Sequence, residues 1–321
     1  MNLCAIGTGA ITKSMLAEFQ RSDILRCTSI YSRKDATGRA MAGEFGLQRV
    51  YTDLEEMLSD PAVEMVYVAS PNSIHYAQAK AALLAGKHVI CEKPFAPTVA
   101  EADELIALAK EKGLFLFEAI TTAHHPHYGY VRENLPKLGK LKFVSATFCQ
   151  FSSRYPALLA GNASPVLNHA FAGGALMDIN LYNIHFIVGL FGAPKSVRYF
   201  PNRHETGVDT SGLLVLEYED FVCHCTGAKD SAARNGVQII GESGFMEITP
   251  SASNCQTVEL NIRGKETVRV HLPENPWYHE VQDIGRIVAD GDYDFCYQAL
   301  NTTHNVVDVL EKARKYAGFN F

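Results

Sequence analysis

Lys93 ends a short apolar run, 87–91, and is followed at once by proline in Cys91-Glu92-Lys93-Pro94. A run of that length reads as a buried parallel strand, so the lysine emerges at the carboxyl end of a sheet, where open α/β folds bind ligands. Ser70-Pro71-Asn72, with His75 one turn on, closes the preceding apolar run and points to the same crevice. An ammonium held there can steady an anionic oxygen or help move a proton. Farther along, Asp178, Tyr182 and His185 sit at i, i+4 and i+7 in the apolar stretch 174–190. On an α-helix they fall within about 60° of arc. Three polar side chains on one stripe of an apolar helix must face something polar, either a substrate or hydrogen-bond partners across a domain junction.

Chemistry by those groups needs a reactant held nearby, and the N-terminus supplies a holder. In Leu3-Cys4-Ala5-Ile6-Gly7-Thr8-Gly9-Ala10-Ile11-Thr12 an apolar strand pattern breaks into Gly-x-Gly and an amphipathic segment follows. Strand, glycine turn and helix form the start of a dinucleotide-binding βαβ unit. Gly7 permits the turn, and Gly9 lets backbone approach a pyrophosphate. The amides of Thr8, Ala10 and Ile11 face it with the helix dipole behind them. Thr12 stands where the usual third glycine would be. The second strand pattern, 27–32, ends in Ser32-Arg33-Lys34 rather than in a carboxylate. A hydroxyl beside two cations suits a ribose 2′-phosphate, which favours NADP over NAD.

The elements that position these groups follow from periodicity. Through residue 120 the chain alternates apolar strands (63–70, 87–91, 114–118) with helical patterns. Thr52-x-x-Glu55 and Thr98-x-x-Glu101 read as capping boxes, and Gly86 and Gly113 as helix stops. That alternation predicts a doubly wound parallel sheet, a Rossmann domain over 1–120. Residues 121–321 read as an α+β domain with a large, mainly antiparallel open sheet. Its strands are expected at 142–151, 196–200, 211–218, 221–226, 237–240, 245–248, 257–262 and 267–272, with closing helices at 278–289 and 303–316. One face of such a sheet needs cover, so a homodimer or homotetramer through it is expected.

Composition narrows the partners. Of 321 residues 47% are hydrophobic and 20% charged, and the net charge of −6 comes without a basic block, which argues against nucleic acid and anionic membranes. The most apolar stretch, 175–191, carries Asp178, Asn180, Asn183 and His185, too polar to span a bilayer. Eight scattered cysteines without a C-x-x-C pair fit buried thiols in a reducing cytoplasm, with no zinc site. His124, His125 and His127 are too close together around Pro126 to converge on a metal, and read as loop histidines at a substrate mouth. Arg154 and Asn168-His169, in a polar excursion before the long helix, are placed to reach substrate hydroxyls.

Taken together, Gly7-x-Gly9, Ser70-Pro71-Asn72-x-x-His75, Glu92-Lys93-Pro94 and Gly173-Gly174-Ala175-Leu176-Met177-Asp178-x-x-x-Tyr182 resemble the Gfo/Idh/MocA oxidoreductase family over essentially the whole chain. The resemblance implies an NAD(P)-dependent dehydrogenase or reductase acting on sugars, cyclitols or related diols, with Lys93 catalytic. Many members carry histidine at the position of Tyr182; tyrosine there is similar to the branch of dimeric dihydrodiol dehydrogenase and glucose–fructose oxidoreductase. A phenol of pKa ~10 is a poor base unless a cation stabilises its phenolate, and Lys93 is the cation at hand. His185, ordinarily near ~6.5, is the competing acid/base. Ala123 stands where related sequences often have arginine before His-Pro, so the resemblance does not carry over the usual substrate or its charge. Two other readings remain open at this stage: a non-catalytic NADP-binding regulator, and a glycoside-cleaving enzyme that recycles bound NAD.

Overall fold

A computed structural model describes residues 1–319. The chain divides into two compact units. The first is Met1–Ala119 with Trp277–His304; the second is Ile120–Pro276 with the chain from Asn305 on.

In the first unit, β1 (Asn2–Ile6), β2 (Arg26–Tyr31), β3 (Arg49–Tyr51), β4 (Met65–Val68), β5 (His88–Glu92) and β6 (Leu116–Ala119) form one parallel sheet. Its order, β3-β2-β1-β4-β5-β6, is that of a dinucleotide-binding doubly wound fold, with the switch point between β1 and β4. The central strands are apolar on both faces because helices cover both. Leu3, Ala5, Met65, Tyr67 and Ile90 pack with Met15, Leu16 and Phe19 of the first helix. The short strand Arg49–Tyr51 escaped sequence reading, being three residues long with a charge at its start.

Helix ends show which local signals were sufficient. Thr98 caps helix Val99–Lys112, its hydroxyl accepting from the Glu101 amide at 3.3 Å, and Gly113 ends that helix in the left-handed region at φ +63°. Thr52 does not cap. Asp53, one residue on, accepts from the Glu56 amide at 2.9 Å and starts helix Leu54–Ser59, because a carboxylate competes well for that place.

Residues 277–304 are the main departure from the expected domain split at 120/121. Helix Pro276–Asp290 packs Val281, Ile284 and Ile287 into the first unit's core, so the chain returns to it near its end. The last helix, Tyr293–Ala317, begins ten residues before the expected 303–316 pattern, because Asp292 accepts from the Phe295 amide at 2.9 Å and starts it there.

The second unit holds an eight-stranded sheet: β7 (Leu141–Cys149), β8 (Ser196–Arg203), β9 (Asp209–Glu217), β10 (Val222–Ala228), β11 (Gly236–Gly241), β12 (Gly244–Thr249), β13 (Thr257–Ile262) and β14 (Val268–His271). Its order is β14-β13-β12-β11-β7-β10-β9-β8. All neighbours are antiparallel except β7 and β10, which run parallel. The expected meander is therefore two meanders laid on either side of β7. One sheet face is packed: Val144, Ala146, Leu214, Leu216, Cys223, Cys225, Met246 and Ile248 meet Leu176, Leu181, Ile184 and Ile187 of the long apolar segment. The stretch 169–191 has the length and apolarity of a membrane span, but 72% of its most apolar window is buried inside the fold. All eight cysteines are free thiols.

Candidate active site

Within the first unit the glycine turn links β1 to helix Ala10–Phe19. Gly7 has φ +117°, and a Cβ there would lie 2.4 Å from the Ala69 carbonyl oxygen, so both backbone shape and the end of β4 demand glycine. Gly9 is different: a Cβ there would meet no protein atom within 4 Å. The protein's own packing does not require this glycine, which fits a backbone kept bare for a ligand. The helix has no acidic residue in its first turn and no side-chain cap, leaving the amides of its first turn, Ala10 and Ile11 among them, to an anion. Thr12, in place of a third glycine, is fully buried. At the end of β4 the buried Ser70 hydroxyl has no hydrogen-bond partner in the protein. These features together fit a dinucleotide.

Ser32, Arg33 and Lys34 leave β2 with distinct roles. The Ser32 hydroxyl donates to the Lys34 carbonyl at 3.0 Å and lies 2.7 Å from the Thr37 hydroxyl, so it shapes the turn. Arg33 and Lys34 are exposed, and the next acidic residue, Asp35, is bridged to Arg39 at 2.6 Å. The turn presents positive charge outward.

His75 and Glu92, read from sequence as cofactor contacts, turn inward. His75 is 1% exposed, with Nδ1 3.0 Å from the Pro94 carbonyl and Nε2 2.8 Å from that of Ser70. Burial, helped by the Lys93 charge, pushes its pKa down, so a neutral ring donates to one carbonyl at a time and braces the ends of β4 and β5. Glu92 accepts from the Tyr67 hydroxyl at 2.6 Å. Burial raises its pKa to about 7 against the pull of Tyr67 and Lys93. Glu280, from helix Pro276–Asp290, is held well above the carboxylate range by burial and by the charges of Glu92 and Glu118. Nothing in the spacing of these three carboxylates announces that they lie near enough to act on one another's charge. Lys93, half-buried, sits just past β5 with a cis bond to Pro94, and the neighbouring strand β4 runs on into Ser70-Pro71-Asn72.

In the second unit, the segment bearing Asp178, Tyr182 and His185 is not one uniform α-helix. Leu176–Asn180 is a π-helical turn leading into helix Leu181–Phe191. The wider turn moves Asp178 off the stripe expected from a constant 100° step, and such turns recur at functional sites. Asp178 and Tyr182 are half-buried, Tyr182 with its ring 5.8 Å from Phe148, whereas His185 is 3% exposed among core side chains. His185 thus faces the interior while the other two reach the surface of the helix.

Sequence reasoning missed what holds this turn. The buried Asp209 carboxylate accepts from the Leu176 amide and the Tyr199 hydroxyl, both at 2.7 Å. Burial raises the pKa of Asp209. Gly174 (φ +127°) is obligatory beside it, since a Cβ would fall 1.9 Å from Asp209 Oδ1. Asn180 and Asn183 donate to the Cys225 and Thr226 carbonyls of β10, each at 3.2 Å, and Lys229 forms an ion pair with Asp178. The Gly173-Gly174 pair was the one visible signal; Asp209 and Lys229 merely border strands.

Of the three clustered histidines, His124 is half-buried, whereas His125 and His127 are buried and structural. His125 Nδ1 accepts from the His127 amide at 3.2 Å and caps helix Pro126–Asn134. His127 Nδ1 lies 2.8 Å from the Cys255 carbonyl oxygen. Both rings are buried, so they line no substrate mouth. Asn168 caps its own short turn by accepting from the Ala170 amide at 3.0 Å, and Arg154 is exposed.

Residues 1–120 match the model of an oxidoreductase family with an NAD-binding Rossmann fold, and residues 136–247 match that of the GFO/IDH/MocA C-terminal domain. The chain is 34% identical to an uncharacterized oxidoreductase, YgjR, of Escherichia coli, covering 100% of this chain and 98% of that protein. It is 31% identical to the NADP(+)-dependent scyllo-inositol 2-dehydrogenase IolU of Bacillus subtilis, covering 98% and 96%. Human trans-1,2-dihydrobenzene-1,2-diol dehydrogenase is 28% identical over 98% and 96%. A 3-ketoreductase from Actinomadura kijaniata, solved with NADP and TDP-benzene, shares the fold at TM-score 0.87 and 21% identity over 98% and 97%.

Proposed function

The chain belongs to the Gfo/Idh/MocA oxidoreductase family, and from that premise we propose that it transfers a hydride between a nicotinamide cofactor, NADP in preference to NAD, and a secondary alcohol or carbonyl of a sugar, cyclitol or trans-diol. The observation that carries this reading is the joint presence of Lys93 at the sheet's carboxyl edge and of half-buried Asp178 and Tyr182 on the second unit's π turn and helix. A cofactor-binding regulator needs none of the three. Relatives named for an inositol and for a dihydrodiol span the substrate class.

In this reading the backbone from Gly7 to Ile11 binds the pyrophosphate, and Arg33 and Lys34 bind the ribose 2′-phosphate. A bound nicotinamide supplies the carbon that accepts or returns the hydride. Tyr182 takes the substrate's hydroxyl proton in oxidation and returns one to the carbonyl oxygen in reduction. Lys93 holds an ammonium beside that oxygen and stabilises the phenolate, and Asp178 orients the substrate. The test is a panel of aldoses, inositols and trans-diols followed by absorbance with NADP and with NAD. Steady turnover of external NADP supports the assignment, while a cofactor that stays bound and recycles would favour glycoside cleavage. Arg33→Ala/Lys34→Ala is expected to weaken NADP binding by about 10- to 100-fold, from the loss of two charge-assisted contacts, and to leave NAD nearly unchanged. Equal loss for both cofactors would remove the 2′-phosphate assignment.

The second unit's sheet supports self-association, as a homodimer or homotetramer in a reducing cytoplasm. Its outer face exposes Phe143 and Val222, paired on β7 and β10, Phe245 one strand beyond β11, and the pair Leu213–Phe200 four residues farther along β9 and β8. Exposed apolar groups of that size on an uncovered sheet face suit an interface. Sedimentation velocity should show a species of at least twice the 35.3 kDa chain mass, shifted toward monomer by Phe143→Glu. A wild-type monomer at micromolar concentration would refute it.

A further inference from the structure

We propose that Lys229 is a positioning residue for Asp178 and Tyr182: its ammonium holds the Asp178 carboxylate in place and offsets that carboxylate's charge beside the Tyr182 phenol. The inference rests on the acid–base role given to Tyr182 above and extends it to a residue outside the family motifs described here.

Lys229 is the first residue beyond β10 and its side chain is 9% exposed, against 22% for Asp178, its ion-pair partner. Both of its backbone groups are tied down. Its amide donates to the Thr210 carbonyl at 2.8 Å, and its carbonyl accepts from the Ser152 amide at 2.9 Å. The fixed backbone and the ion pair with Asp178 together set where this ammonium sits. Tyr182 follows Asp178 by about one helical turn, and its ring lies 5.8 Å from that of Phe148. Phe148 pairs across the ladder with Gly227, two residues before Lys229, so all three groups gather at the same corner of the sheet. The other titratable groups around the turn are Asp209 beneath it, Asp230, which accepts from Thr210 and Ser211, His185 on the same helix, and His169, whose charge acts on Asp209.

The chemical consequence follows from sign. A carboxylate next to a phenol disfavours the phenolate, and an ammonium favours it. With the ion pair intact, Asp178 can accept hydrogen bonds from substrate hydroxyls without adding net negative charge where Tyr182 must release its proton. A buried ion pair is costly to break from one side, since the remaining charge is stranded.

The experiment labels tyrosine at Cζ with carbon-13 in the full-length protein and follows Tyr182 by NMR, its resonance identified as the one lost in Tyr182→Phe. Lys229→Met is expected to raise the Tyr182 titration midpoint by about one pH unit, and Lys229→Arg to leave it near wild type. Asp178→Asn should lower it, and the double variant Asp178→Asn/Lys229→Met should return toward wild type. A Lys229→Met protein with an unchanged melting temperature and an unmoved Tyr182 titration overturns the proposal. So does Lys229→Arg shifting as far as Lys229→Met, since the charge is retained. If Lys229→Met does not fold, the Asp178→Asn arm decides, and an unmoved midpoint there is equally fatal. Failure of the parent reading looks different: Tyr182→Phe would then keep full turnover, whereas an inactive Tyr182→Phe with unmoved titrations removes Lys229 alone.

Discussion

Tyr182→Phe is expected to lower kcat by about 10²- to 10⁴-fold while leaving NADP affinity within a few-fold of wild type. The phenylalanine keeps the ring and its contact with Phe148, so the loss isolates the proton-carrying oxygen. In free energy this is about 3–5 kcal/mol of transition-state stabilisation. On the proposed mechanism Lys93→Met should cost a comparable amount, and the double variant little more than either alone. His185→Gln provides the contrast. Its ring is 3% exposed, so the change should perturb stability more than turnover. Steady-state kinetics paired with cofactor titration by fluorescence separates these outcomes. Normal turnover by Tyr182→Phe with an inactive His185→Gln would reverse the assignment.

The second large effect concerns stability and pH. Glu92 has its pKa raised from 4.5 to about 7 in the folded protein, chiefly by burial. A raised carboxylate means that the folded chain keeps a proton the unfolded chain has already released. The contribution of Glu92 to stability is therefore full below pH 4.5, falls as pH rises to 7, and is constant above, the total loss from this group being about 3 kcal/mol. Glu92→Gln removes the ionisation while its amide oxygen can still accept from Tyr67. The variant should match wild type near pH 4.5 and exceed it by up to about 3 kcal/mol at pH 8, less any cost of placing the amide protons. Urea unfolding at the two pH values measures the difference, and a gap that does not change with pH would contradict the burial argument. Glu280, raised by the same burial and by its neighbours, acts in the same direction in both proteins.

The sheet's inward carboxylates also clarify what the Glu-Lys-Pro signature does in this chain. Glu92 points at Tyr67 in the core, while Lys93 follows at the strand end. The motif thus joins a buried structural residue to a half-buried lysine just past the strand, the one to which the proposed mechanism gives chemistry.

Much of this protein was legible before any coordinates. Gly7-x-Gly9, the apolar runs of β4 and β5, the Thr98 cap and the Gly113 stop are signals written within a few residues, and backbone sterics and local hydrogen bonds act over that same range. The two sheets, the approximate strands and the motif residues followed from them. The chain's own neighbours could not disclose the return of helix Pro276–Asp290 to the first unit, the parallel pairing of β7 with β10, the π turn at Leu176–Asn180, or the charge of Glu92 acting on Glu280. Those depend on side chains far apart in sequence competing for one interior. Asp209, Lys229 and the Cys225 and Thr226 carbonyls, which accept from Asn180 and Asn183, act on the helix from 33 to 51 residues away, and only packing decides which partners a buried polar group will find.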